Sequence, residues 1–267
     1  MEKITSSNVE NPTNLRVPDH IAKKQIEKEI DFDKLQSKLN KKSVFLLDRD
    51  LYFNEEDLFL KALARLIYEL KPNIEEYDTI LSDDASGRLV SLLIRKIANE
   101  ARKFLDKKPI KAFFIASGRR FDDYNKEQLG WQEREMAVKK FLIENSHKFG
   151  KTLVVTEQIV EGQSIEILAP LLQDAGIKFD VAAASVAETA FRHGVDYFLR
   201  EKFNSQLYYG EVGNHAAVAQ YNTPEAMGVT KKSSMGAHPI RATYNWGITK
   251  TTREDLSVIA KEFKKLL

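Results

Sequence analysis

The chain has 267 residues, room for one large domain with additions or for two modest ones. Lys and Arg number 41 against 39 Asp and Glu, a net charge of +2, which argues against both a general nucleic-acid magnet and an acidic tail. With no cysteine, disulfides, thiolate zinc sites and a thiol nucleophile are excluded.

The first residues, 1–14, are polar without an apolar run, which is unlike a signal peptide. No stretch approaches the roughly 18 uninterrupted apolar residues of a membrane span, so a cytoplasmic chain with no membrane partner is expected. His20, His147, His193, His215 and His238 are scattered, and no pair has the spacing of a helical or finger-type metal site, so no metal ligand is assigned. Residues 1–42 are rich in Lys, Glu, Asn and Ser. They read as an N-terminal helical arm, disordered at its start, with Ile21, Ile26, Ile30, Phe32 and Leu35 lining one helix face.

From Ser43 the pattern changes. Val44–Leu47 is a short apolar run ending at Asp48. Asn54 then caps a helix with Glu55, Glu56 and Asp57 in its first turn, Leu58, Leu63, Leu66, Ile67 and Leu70 on its core face, and Pro72 as its stop. Tyr77–Leu81 reads as a strand and is followed by the polar loop Ser82–Arg88. A long helix carrying Leu89, Leu92, Leu93, Ile97, Ala101 and Leu105 comes next. Lys111–Ala116 is a second strand, leading into Ser117-Gly118-Arg119-Arg120, and a further helix is expected near Glu133–His147. Thr152–Val155 is a third strand, Ser164–Ala175 a helix kinked at Pro170, and Lys178–Ala184 a fourth strand. After Glu188 only Val195–Phe203 and Asp255–Leu267 read as helices.

Strands alternating with helices imply crossover connections and a mainly parallel sheet, with ligands beyond the carboxyl ends of its strands. The loops at those ends begin near Ser82, Ser117 and Thr156. The third is the most informative. Leu153-Val154-Val155-Thr156-Glu157-Gln158-Ile159-Val160-Glu161-Gly162-Gln163-Ser164 is an apolar strand, an acidic turn, then a glycine and a hydroxyl at a helix start. Gly162 lets backbone N–H groups approach an anion, Ser164 adds a hydroxyl, and Glu157 can accept hydrogen bonds from sugar hydroxyls.

This segment resembles the signature of type I phosphoribosyltransferases: an apolar strand, two adjacent acids, a short variable stretch, then Thr-Gly-x-Ser/Thr. The loop ending Ser86-Gly87-Arg88 resembles that family's pyrophosphate loop. The resemblance runs from about Tyr77 to Val186, and residues 119–133 correspond to the family's mobile flap. It implies an α/β, phosphoribosyltransferase-like, mainly parallel sheet flanked by helices, with the N-terminal arm and a C-terminal appendage added. Divided so, the chain has an arm at 1–42, a core at 43–190, and a hood and appendage at 191–267.

By the same resemblance, Thr156, Glu157, Glu161, Gly162, Gln163 and Ser164 would meet phosphate and ribose. Asp83, Asp84, Ser86, Gly87 and Arg88 would meet pyrophosphate, and Arg119 and Arg120 would act from the flap. The implied ligand is phosphoribosyl pyrophosphate or a nucleotide, with Mg2+ as cofactor and transfer of ribose 5-phosphate to a nitrogenous base as the reaction. No catalytic residue is assigned. A homodimer is left open.

Three departures mark this chain. Thr156 stands where the first acid is expected, Val160 where many purine-specific members carry a carboxylate, and Glu161 where a threonine would touch the 5-phosphate. They motivate an alternative, a non-catalytic nucleotide sensor or RNA-binding regulator on the same fold, for which Lys231, Lys232 and Arg241 could touch phosphates. A further alternative rests on Asp48-Arg49-Asp50, similar to the nucleophile motif of haloacid-dehalogenase-like phosphatases, although the acidic pair Asp83-Asp84 precedes rather than follows the candidate hydroxyl of Ser117. Phe121, Tyr124, Trp131, Tyr208 and Tyr209 are candidates to stack on a base.

Overall fold

The structure is a computed structural model, and it describes residues 18–39, 55–83, 87–116, 128–213, 229–230, 237–238, 240–241 and 246–267. Its sheet holds five strands: β1 (Thr79–Asp83), β2 (Lys111–Ile115), β3 (Thr152–Ile159), β4 (Phe179–Val186) and β5 (Leu207–Val212). The order is β2-β1-β3-β4-β5, and every pair in it is parallel. The helix-flanked parallel sheet expected from the alternating pattern is therefore present. β5, which the sequence did not reveal, extends it.

Alternation along the strands divides the interior in two, because successive side chains point to opposite faces. Ile80, Leu153, Val155, Ala182 and Ala184 face one core. The other side of that core comes from helices α1 (Asp19–Glu29), α2 (Phe32–Lys38), α3 (Glu55–Leu70) and α4 (Arg88–Phe104), with the C-terminal helix of residues 246–263. Leu81, Val154, Val181 and Ala183 face the second core, under α5 (Gln128–Asn145), α6 (Gln163–Asp174), α7 (Glu188–Arg192) and α8 (Val195–Phe203). A strand apolar on both faces is what a sheet covered on both sides requires. Leu153, Val154 and Val155 are accordingly all buried.

The arm is two helices rather than one. Ile30 and Asp31 leave helical geometry, and the Asp31 carboxylate caps α2 by accepting from the Lys34 N–H at 2.9 Å. Ile26, Ile30, Phe32 and Leu35 are buried as expected, but Ile21 is about half exposed, because a spacing of five residues along α1 turns it well off the stripe that holds Ala22 and Ile26. Helix α6 runs through Pro170 as a single element, with the proline on its exposed side. The antiparallel pair β6 (Val229–Thr230) and β7 (Ile240–Arg241) leads to the C-terminal helix, α9 (Trp246–Phe263). Between β6 and β7, Ala237 and His238 cover the outer edge of β2. The Ala116 N–H donates to the Ala237 carbonyl at 2.8 Å, and His238 Nδ1 donates to the Phe114 carbonyl at 2.7 Å. That contact occupies backbone groups which an edge strand would otherwise present to other chains.

Among the described residues no helix is long and apolar enough to cross a membrane. Val44–Asp50, including the phosphatase-like Asp48-Arg49-Asp50, lies outside the described residues, as does the helix-capping Asn54.

Candidate functional site at the switch point

The chain leaves β1 through α4 toward β2, and leaves β3 through α6 toward β4. The order therefore reverses between β1 and β3, and an open α/β sheet binds its ligands in the crevice at such a reversal, beyond the strands' carboxyl ends. Two helices begin there. Gly87 is the N-cap of α4 and Gly162 the N-cap of α6, and neither start is capped by a side chain. The first N–H groups of each helix lack intrahelical acceptors and carry the positive end of the dipole.

The α4 start is pressed against the sheet. A Cβ on Gly87 would lie 2.2 Å from the Val155 carbonyl oxygen, a separation that no side chain tolerates. The same position is 3.0 Å from the Ser82 hydroxyl. Ser82 is fully buried, and its Oγ has no hydrogen-bond partner among the described residues. A buried hydroxyl without a partner is costly, and this one sits directly beneath the helix start. The sequence places Ser82 at the start of the polar loop and assigns it no role, whereas the structure puts it inside β1; its two-residue spacing from Ile80 is the signal that places it on the α4 face. Arg88, the first residue of α4, lays its guanidinium over the Phe114 ring, 4.4 Å from the centroid.

The α6 start is held differently. Gly162 has φ 89°, the left-handed region that favours glycine. A Cβ there would press on Val195 at 3.3 Å. Two residues earlier, Thr189 Oγ1 donates to the Val160 carbonyl at 2.7 Å, tying this loop to α7. Thr189 and Val195 lie outside the motif, so the motif alone does not identify them. Glu161 is exposed, and its Oε2 accepts from Gln163 Nε2 at 2.8 Å. Its carboxylate is thus held by the first residue of α6. Ser164 is half-buried in the same turn.

Thr156 and Glu157, at the end of β3, are both buried. Alternation from Leu153 and Val155 puts Glu157 on the face where α4 begins, and puts Thr156 on the α6 face. Asp83 is the last residue of β1. Asp84, Ser86, Arg119 and Arg120 lie outside the described residues, as do Phe121 and Tyr124. Of the expected phosphate and ribose residues, Glu157 thus lies on the face where α4 begins with Gly87 and Arg88 of the expected pyrophosphate loop, and Glu161 to Ser164 lie at the start of α6. Among the described residues no group of three His, Asp or Glu side chains is placed to hold a metal ion.

Two aromatics expected to stack on a base serve the interior instead. The Tyr208 hydroxyl accepts from Asn73 Nδ2 at 2.7 Å and donates to Gln206 Oε1 at 2.7 Å, and Tyr209 packs edge-on to Phe191 with centroids 5.1 Å apart. Both line a cleft of about 1300 Å³ at the strands' amino ends, away from the crevice, together with Asn73, Lys151, Asp180 and Gln206. The polar groups there are mutually satisfied, which marks the cleft floor as a structural staple. Trp131 lies in α5.

No protein-family profile and no curated protein matches the chain. Solved structures similar to it include the following two. One is the hypoxanthine-guanine phosphoribosyltransferase from Schistosoma mansoni in complex with IMP, with 15% identity, a TM-score of 0.35, and coverage of 59% of this chain and 66% of that one. The chain thus spans just under two thirds of that enzyme's length. The other is the AQ2163 protein from Aquifex aeolicus, also with 15% identity and a TM-score of 0.35, covering 69% of this chain and 86% of that one.

Proposed function

We propose that the chain binds a phosphoribosyl or nucleotide ligand in the crevice between β1 and β3, with phosphate at a helix start and ribose hydroxyls against Glu157. The observation that carries this reading is the pair of glycine-capped helix starts on either side of the sheet's reversal point, one of them above the unpartnered Ser82 hydroxyl. Backbone N–H groups at a helix start suit an anion. A buried carboxylate at a strand end suits a diol, whose two O–H groups donate to it. Arg88 brings a guanidinium to the start of α4, and Asp84, Ser86, Arg119 and Arg120 are proposed to complete the phosphate contacts.

The reaction compatible with this arrangement is displacement of pyrophosphate from a ribose anomeric carbon by a ring nitrogen of a base. The C–O bond to pyrophosphate breaks with its electron pair, the new C–N bond forms, and the nitrogen's proton is lost to solvent. The chain's contribution would be positioning and charge stabilisation. Magnesium, if bound, would be carried on the pyrophosphate and would neutralise the leaving group.

Calorimetric titration with phosphoribosyl pyrophosphate and with nucleoside mono- and diphosphates tests the reading. Saturable binding of at least one at millimolar concentration or below is expected, and it should weaken in Gly87→Val. Absence of binding by all of them at millimolar ligand overturns it. Release of pyrophosphate in the presence of purine or pyrimidine bases tests the catalytic form separately.

A further inference from the structure

The two helix starts in the crevice are not equivalent. The α4 start carries Arg88 and has a buried, unpartnered hydroxyl beneath it. The α6 start carries Glu161, whose carboxylate is held next to the first helical residue by the Gln163 amide. Acids also follow it: Glu166 lies in the first turn of α6, and Glu188 lies in the first turn of α7, beside the Thr189 that binds the loop. Among the described residues an arginine meets this group at Glu188, which pairs with Arg192 at 3.4 Å. Backbone geometry that would suit an anion is thus combined with a charge that repels one.

The backbone on either side of Glu161 is anchored. Val160 is tied to Thr189, Gly162 takes the left-handed conformation, and the Gln163 amide donates to Glu161 itself. A phosphate dianion arriving at α6 would have to break the Gln163 contact or share the site with a carboxylate. A hydroxylated, uncharged group would meet neither penalty and could donate to Glu161.

We propose that Glu161 is the specificity-determining residue of the crevice: it denies the α6 start to phosphate, so the ligand carries its phosphates at α4 and presents a neutral, hydroxylated end to α6. This rests on the reading of the crevice as a ribosyl-ligand site and selects within it. The substrate class becomes a nucleoside diphosphate or a related ribosyl pyrophosphate without a second terminal phosphate, in preference to one phosphorylated at both ends.

The test uses the full chain, its Glu161→Gln variant and its Ser82→Ala variant, titrated with ribose 5-phosphate, inorganic pyrophosphate and adenosine diphosphate in chelator, so that no divalent cation bridges carboxylate and phosphate. Glu161 is exposed, so its variant is expected to fold, and circular dichroism checks both variants. In the wild-type chain, pyrophosphate and adenosine diphosphate should bind and ribose 5-phosphate should bind far more weakly. Glu161→Gln should strengthen ribose 5-phosphate roughly tenfold, the scale of one charge repulsion several ångströms away near solvent, and should leave pyrophosphate within about twofold. Ser82→Ala should weaken pyrophosphate without changing the effect of Glu161→Gln. If pyrophosphate binds but Glu161→Gln fails to strengthen ribose 5-phosphate, the charge filter is wrong and the crevice reading stands. If no probe binds either protein, the crevice reading itself falls.

Discussion

Tyr77 and Asp180 are joined by a hydrogen bond of 2.7 Å that links the approach to β1 to the start of β4, with the Tyr77 ring fully buried. Asp180 also accepts the Gln206 N–H at 2.8 Å, so one carboxylate secures the entries of β4 and β5 together. Asp180→Ala is expected to destabilise the chain by about 2–4 kcal/mol, because it leaves a buried phenol and an amide without partners. Tyr77→Phe should cost about 1–2 kcal/mol, since Asp180 keeps its other donor. Urea unfolding midpoints at pH 7 separate the two.

The same cluster sets an alkaline limit. Burial, then the Asp180 charge, pushes the Tyr77 phenol far above its ordinary value of 10.0. Burial by itself would lower the Lys151 pKa, but the hydrogen bond to Glu76 and the charges of Asp180 and Glu76 raise it above 10.5. Both groups bind protons more tightly when folded, so their stabilisation is complete below the unfolded values and is lost as pH rises past them. Wild-type stability should fall steeply above about pH 10, and Tyr77→Phe should fall less steeply over the same range. Equal slopes in the two proteins would show that the phenol has no part in the loss.

Gly87→Ala places a methyl group where the Val155 carbonyl stands, 2.2 Å away. The start of α4 must then lift from β3, at a cost of about 1–3 kcal/mol. Because that lift moves the helix start relative to Glu157, ligand affinity at the crevice should drop in parallel with the melting temperature. Ala98→Gly, in the same helix but remote from the crevice, should lower stability by about 1 kcal/mol or more with affinity unchanged. Calorimetry on both variants distinguishes a lost site from a merely weakened fold.

The core strands were legible because burial on both faces favours unbroken apolar runs, and Leu153-Val154-Val155 is one. β5 was not legible. Its Tyr208 directs a hydroxyl to Asn73 and Gln206, and its Glu211 and Val212 lie toward solvent, so no clean period survives. Helix α9 begins at Trp246, ahead of the expected Asp255, since Thr249, Thr251 and Thr252 are weak helix formers. Thr252 is nonetheless fully buried, and tertiary packing decides for the helix. At the site, Gly162 and Glu161 could be read from the motif. The Thr189 tether could not, because it reaches the loop from an element distant in sequence, and the place of the Ser82 hydroxyl beneath Gly87 shows only in the packing.

Arg102 shows how a buried charge can organise a turn. Its Nε donates to the Lys108 carbonyl at 2.6 Å, and its Nη1 donates to the carbonyls of Glu75 and Tyr77 at 2.9 and 2.6 Å. Nη2 lies 3.5 Å from the Asp78 carboxylate. One planar fork thus serves the end of α4, the turn before β1 and the approach to β2. Arg102→Met keeps the packing volume but strands three carbonyls, at an expected cost of about 2–4 kcal/mol. Arg102→Lys should recover only part of this, since an ammonium cannot match the fork. Full recovery by lysine in thermal unfolding would show that charge alone, not geometry, holds the turn.

Glu262 gives the acidic counterpart. Hydrogen bonds from Lys265 and then Lys38 hold its carboxyl down to about 2, and the Lys38 contact at 2.7 Å fastens α2 to the end of α9. A depressed carboxyl contributes stability above its ordinary value of 4.5, and that contribution is lost as pH falls toward 2. Docking of α2 should therefore weaken progressively across that window, in step with protonation of Glu262. Glu262→Gln should show weaker docking already at neutral pH and little further change on acidification. Amide exchange of residues 32–38, corrected for the intrinsic rate at each pH, reads this out. Protection in the wild type that does not fall below pH 4 would mean that the apolar contacts of Phe32 and Leu35, not the ion pair, hold the arm in place.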